Sequence, residues 1–201
     1  MGTERRDEPI ALAADSRLGR QLSFLREIDK LKLVLRRTYV MDASRLENTA
    51  EHSWHIAVMA MALLEYADEP DIDVNRVIRL MLVHDIVEID AGDTFAYDSS
   101  GYADKDARER AAADRLFGLL PDDQREEWIA LWREFEDGAT PEARFAAALD
   151  RLQPVIHNYC TGGVSWRDNG IRKDQVIERL RPLESSSSRL WAYLLSLLDE
   201  A

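Results

Sequence analysis

One cysteine, Cys160, in 201 residues leaves no partner for an intramolecular disulfide. The fold must therefore rest on its core, and the usage fits a reducing, cytoplasmic compartment. Six prolines and nine glycines are too few for a linker-rich or collagen-like chain. No apolar run approaches the roughly 18 residues of a membrane span, and the opening MGTERRDEPIALAADSRLGR lacks the apolar centre of a signal peptide. Basic residues are in deficit, 26 Lys+Arg against 38 Asp+Glu for a net charge of -12. A nucleic-acid polymer would be repelled by that balance. A small anion would not, because local arginines or a metal ion can outweigh the global charge. Histidine is scarce too, at four.

What is present is helical periodicity. After a flexible lead-in over residues 1–17, apolar positions recur at helical spacing in Leu22, Leu25, Ile28, Leu31 and Leu35. The segment RRTYVMDASR reads as a connection, with Ser44 or Asn48 as cap for a helix from about Thr49 to Tyr66. Pro70 breaks the pattern before a nearly continuous apolar helix from Val74 to about Ile89, which Gly92 closes. Further helices are expected over Ala107–Leu120, after Pro121, after Thr140-Pro141 with Pro154 inside it, from Lys173 and from Ser188. No stretch alternates with period two. The expectation is an all-α, compact single domain of about seven or eight helices over residues 18–201.

Inside the apolar helix Val77–Val87 lies His84-Asp85. An imidazole and a carboxylate buried together need partners, and a divalent cation satisfies both. His52 and Asp150, on two other expected helices with apolar neighbours, complete a candidate set of four ligands. Imidazole with carboxylate suits Mn, Co, Fe, Ni or Zn, with Mg less favoured. Such a site lowers the pKa of a bound water and polarises a phosphoryl oxygen. Glu88 shares the helical face of His84 and Asp85, and Asp93 follows the helix end; both are acid/base candidates, with solvated carboxylates the plainer alternative. His55 reads as a helix-surface residue or one standing behind the ligands, and the pair His157-Asn158 as satisfied core polar groups rather than ligands. Trp54, Trp128, Trp132 and Trp191 read as core or interface, and Trp166 as a loop residue that would cover a base. The C-terminal stripe Leu190, Trp191, Leu194, Leu195 and Leu198 would pack on the domain or on a second copy.

The segments EHSWHIAVMAMAL, MLVHDIVEIDAGDT and AALDRLQPVIHNY resemble the HD superfamily of metal-dependent phosphohydrolases, most closely its 5'-deoxynucleotidase-like group. The doublet follows His52 by 32 residues and Asp150 follows Asp85 by 65, and the likeness runs over roughly residues 20–180. The resemblance implies that His52, His84, Asp85 and Asp150 hold the metal. It implies catalytic roles for Glu88 and Asp93, and substrate contact by Arg36 or Arg37. Tyr39 stands where the family places a tryptophan. The implied substrate is a (deoxy)nucleoside 5'-monophosphate, with a homodimer as the usual assembly. Hydrolysis of a nucleoside di- or triphosphate or a cyclic nucleotide, or metal-dependent binding without turnover, are the alternatives.

Overall fold

Helix starts fall where short polar side chains can take up unpaired backbone N–H groups. A computed structural model describes residues 15–98 and 101–200; most of the expected lead-in, residues 1–14, lies outside the described residues. α1 (Arg17–Ile28) begins after Ser16, whose hydroxyl accepts from the Gly19 N–H at 3.0 Å. It is shorter than the periodicity predicts and passes into a 3-10 turn, Asp29–Leu33. Phe24 of α1 and Leu31 of the turn are buried, whereas Leu25 and Leu35 are exposed.

The segment expected to be a bare connection forms a hairpin instead. β1 (Leu35–Tyr39) pairs antiparallel with β2 (Leu46–Asn48), Leu35 opposite Asn48 and Tyr39 opposite Leu46, with a register shift between. The strands are short and carry charged residues, so sequence alternation was too brief to reveal them. Asn48 then caps α2 (Thr49–Leu63) in a reciprocal capping box with Glu51.

α3 (Val74–Val83) is capped by Asp73 and is shorter than the expected Val74–Ile89 helix. His84–Val87 form a 3-10 turn, followed by the single turn α4 (Glu88–Ala91). α5 (Lys105–Phe117), α6 (Asp122–Asp137) and α7 (Pro141–Cys160) follow. Thr140 caps α7 and Pro141 occupies its first turn; Pro154 is carried within it. α8 (Val164–Asp168) is one short helix in the segment predicted to be a loop. α9 (Lys173–Leu180) and α10 (Ser188–Glu200) complete the chain. Among the described residues eight helices reach eight residues or more, and the only sheet is the two-stranded hairpin.

α2, α3 and α7 pack on one another and bury Ile56, Ala60, Leu80, Met81, Leu149 and Leu152 completely or nearly so. Each leucine-sized side chain contributes about 1.5–3 kcal/mol of burial. α10 turns Leu190, Leu194 and Leu198 into that core, so the C-terminal stripe packs on its own domain. Trp132 is buried, but Trp54 is 64% exposed and is not a core residue. α2 and α7 carry His52 and Asp150, and His84 follows directly on the end of α3.

Candidate metal centre

Capping fixes the entry of α2 and so aims His52, in its first turn, at the middle of α7. Its Nε2 lies 2.9 Å from Asp150 Oδ1 and 3.9 Å from Asp85 Oδ2. His84, at the C-terminal end of α3, brings its Nε2 to 3.1 Å from Asp85 Oδ1 and 3.9 Å from Asp150 Oδ1. The break from α3 into the 3-10 turn lets both members of the doublet face one point. His52 and His84 are buried, and Phe135 packs on the His84 ring at a centroid distance of 4.4 Å.

The far side of each ring assigns its tautomer. His84 Nδ1–H donates to the Met81 carbonyl at 2.8 Å, and His52 Nδ1–H donates to Gln153 Oε1 at 3.2 Å. In its neutral form each imidazole would therefore turn an Nε2 lone pair toward two carboxylates. His84 Nε2 is a buried nitrogen with no hydrogen-bond partner. Lone pairs facing carboxylate oxygens repel unless a proton or a metal cation sits among them. Burial opposes a charge on His84, yet Asp85 and Asp150 more than offset it and hold the ring well above its ordinary pKa. Burial likewise raises Asp150, but its hydrogen bonds with His52 and His84 prevail and draw it well below the carboxylate range. The centre favours positive charge, and the donor set of two imidazole nitrogens and two carboxylates fits a transition-metal dication.

Behind His52 lies a second polar cluster. Gln153 spends its two N–H bonds on Glu47 Oε1 at 2.6 Å and His157 Nε2 at 2.9 Å. His157 Nδ1–H in turn donates to the Tyr39 carbonyl at 2.9 Å. His55 Nδ1 stands 3.3 Å from His157 Nε2. Glu47, His55 and His157 thus have the residue types and spacing of a metal site, but the Gln153 amide already fills their common centre. The arrangement is the second layer that typically orients a metal-bound histidine. Nothing in sequence spacing marks Glu47 or Gln153; the only available signal was that Gln153 lies on the same helix as Asp150, three residues on.

In front of the pair opens a cleft of about 290 Å³. Strand alternation turns Arg36 and Thr38 inward. Arg36 lies 3.3 Å from Asp85 Oδ2 and 3.9 Å from Asp93 Oδ1. Arg37 donates to Asn169 Oδ1 at 3.0 Å and lies over the Phe95 ring. Both arginines line the cleft; Tyr39 does not, and engages the site only through its backbone carbonyl. Gly92, with φ of 75°, turns the chain so that Asp93 returns to the cleft. Thr49 donates to Glu88 Oε2 at 2.8 Å. Burial, then the Asp85 charge, pushes Glu88 well above the ordinary glutamate range, and burial raises Asp93 despite Arg36. Trp166, Tyr97 and Tyr102 form part of an aromatic wall.

A helical domain with His52, the His84-Asp85 doublet and Asp150 converging at the floor of one cleft has the plan of the HD domain. The HD domain family model matches residues 28–191, and the chain belongs to that family. It is 35% identical over 136 residues to human 5'-deoxynucleotidase HDDC2, which covers 67% of this chain and 65% of the human protein. To the mouse 5'-deoxynucleotidase HDDC2 it is 34% identical over 148 residues, 73% of this chain and 72% of that one. The chain thus spans about two thirds of the length of these relatives. A crystal structure of a predicted metal-dependent phosphohydrolase from Magnetospirillum magnetotacticum MS-1 superposes with a TM-score of 0.88 at 56% identity, covering 94% of each chain. The PH0347 protein of Pyrococcus horikoshii OT3 shares the fold, with a TM-score of 0.65 at 22% identity over 90% of this chain and 99% of that one. Among the described residues no helix is long and apolar enough to cross a membrane.

Proposed function

We propose that this chain is a metal-dependent phosphohydrolase that cleaves the phosphomonoester of (deoxy)nucleoside 5'-monophosphates to nucleoside and phosphate. What carries the reading is the convergence of His52 Nε2, His84 Nε2, Asp85 and Asp150, with the Nδ1–H groups of both rings turned away, at the floor of a cleft with arginine and aromatic walls. The names of the 5'-deoxynucleotidase relatives support the substrate class. His52, His84, Asp85 and Asp150 would hold one divalent ion, Mn, Co, Fe, Ni or Zn by ligand type, with Mg less suited. Bound there, the ion supplies an acidified water and polarises the phosphoryl group.

The chain's own groups do the remaining work. Arg36 is held by Asp85 and Asp93 and presents a fixed cation to the phosphate, while Arg37 extends the same wall. Glu88, kept neutral by burial and anchored by Thr49, holds a proton for the leaving ribose oxygen. Asp93, 3.9 Å from Arg36, shares the acid/base task. Trp166 lies in the wall where a base would stack. We assign residues 18–201 to this one catalytic unit, in a reducing cytoplasm that suits the exposed, free Cys160. A second copy would cover the α2 stripe Trp54, Val58 and Met61, all exposed at helical spacing, to give a homodimer.

The test is a panel of nucleoside monophosphates offered to metal-reconstituted protein, with elemental analysis and phosphorus NMR of the products. Release of inorganic phosphate by the wild type, lost in Asp85→Ala, is expected. Diphosphate or triphosphate as product, cyclic-nucleotide opening, equal activity in Asp85→Ala, or no turnover with metal fully bound would each overturn it.

A further inference from the structure

Arginines in this acidic protein are mostly matched. Arg76 pairs with Glu134, Arg115 with Asp90 and Glu27, Arg108 with Asp104, and Arg36 with Asp85. Two cleft residues break the pattern. Arg151, next to the ligand Asp150 on α7, and Arg179 on α9 make no hydrogen bond and no ion pair within 4 Å among the described residues. Both line the main cleft, and both also line a more open recess that continues it past Ala96 and Tyr97.

Arg151 carries the clearer sign. Its Nε is buried without a partner, a cost that a native structure tolerates where a ligand completes the bonding. Arg179, a second arginine without an ion pair, lines the same stretch of the cleft. Guanidinium groups present paired N–H donors that match the oxygens of a phosphate.

We propose that Arg151 and Arg179 form a second anion site at the outer end of the cleft, so that the preferred substrate is a phosphomonoester bearing a second phosphate, as in a nucleoside 3',5'-bisphosphate. The scissile phosphate lies at the floor between the metal ligands and Arg36, and the second is taken at the α7–α9 rim. This rests on the phosphomonoesterase reading above for its chemistry, though not for its binding.

The experiment compares deoxyadenosine 3',5'-bisphosphate, dAMP and dADP with the metal-loaded full chain. A kcat/KM about tenfold or more above that of dAMP is expected for the bisphosphate, carried by KM, since one charge-assisted contact is worth at least that factor. In Arg151→Gln and Arg179→Gln the ratio of bisphosphate to dAMP should fall toward one. Arg26→Gln, exposed on α1, should leave the ratio as it is. Calorimetric binding of the bisphosphate should weaken by the same factor in the two cleft variants, and this arm needs no turnover. An enzyme that binds the bisphosphate through these arginines but hydrolyses nothing would refute the catalytic reading alone. The ligand-free Arg151→Gln protein should also melt at a higher temperature than wild type, because a half-buried guanidinium whose Nε has no partner is removed; a merely structural arginine would give the reverse. Equal use of dAMP and the bisphosphate, a preference for dADP, an unchanged ratio in both variants, or a lowered melting temperature would overturn the assignment.

Discussion

Two clusters of histidine and carboxylate lie back to back in this molecule, and they differ in what occupies their centres. Glu47, His55 and His157 surround the Gln153 amide, which gives a proton to Glu47 and another to His157. His52, His84, Asp85 and Asp150 face one another, with Arg36 at their edge 3.3 Å from Asp85 Oδ2, and the Nδ1 protons of the two rings are spent outward, on Gln153 and the Met81 carbonyl. Residue type and spacing would nominate either group as a metal site. The count of available protons separates them: the inner cluster is already bonded, whereas the outer one has four acceptors and a deficit of positive charge. Gln153 belongs to both, since its oxygen takes the His52 proton that would otherwise face the wrong way.

Breaking the outer cluster should have the largest consequence. Asp85→Asn preserves shape while removing a charge from the centre, and hydrolysis should fall by at least about a thousandfold with metal content falling alongside it; activity within tenfold of wild type would mean that the metal is held elsewhere. Severing the link between the clusters should come next. Gln153→Leu frees the His52 tautomer and strands buried acceptors on Glu47 and His157. Metal affinity should weaken by about 10–100-fold, read by calorimetric titration, and stability should drop by about 1–3 kcal/mol, read by denaturant. Full metal affinity in that variant would show that His52 needs no orienting partner.

Much of the outer cluster was legible because each ligand has a chemical identity that is costly to bury on an apolar helix. His52, His84, Asp85 and Asp150 stood out for that reason, and the caps Asn48, Thr140 and Gly92 were legible because capping is local. The inner cluster was not. Gln153 and Glu47 acquire their meaning from partners about a hundred residues away in the chain, and a glutamine in a helix advertises nothing. β1 likewise lies in a polar segment, so the alternation that turns Arg36 and Thr38 inward is not legible in the sequence. The doublet itself was placed in mid-helix, where continuous apolarity pointed, yet α3 ends at Val83. Trp54 lies on a helix that is apolar nearly all round, so periodicity could not say which face the core would take.

The inner cluster has its own pH signature. Burial, against the opposing pull of Arg36, raises Glu47 from an ordinary 4.5 to about 7. The folded chain then holds a proton there that the unfolded chain has released, so the contribution to stability is complete below pH 4.5 and is lost as pH climbs through 7. By linkage the span is on the order of 3 kcal/mol. In metal-free protein, wild type should lose roughly that much relative to Glu47→Gln between pH 4.5 and 8, measured by urea unfolding at each pH. Parallel curves for the two proteins would mean that Glu47 is ionised throughout.

The smallest effect should come from the edge of the same cluster. His55 is half-buried, and its Nδ1 lies at 3.3 and 3.4 Å from His157 and Gln153, beyond the distances of the two bonds the amide already makes. His55→Ala removes a weak third contact and strands no buried proton. Its cost should be no more than about 1 kcal/mol, with metal affinity equal to that of wild type in the same titration that Gln153→Leu fails. If instead His55→Ala weakens metal binding as far as Gln153→Leu does, the inner cluster cannot be a set of matched polar groups supporting His52. Its three acceptors would then have to be counted as ligands, and the proton count that distinguishes the two clusters would be wrong.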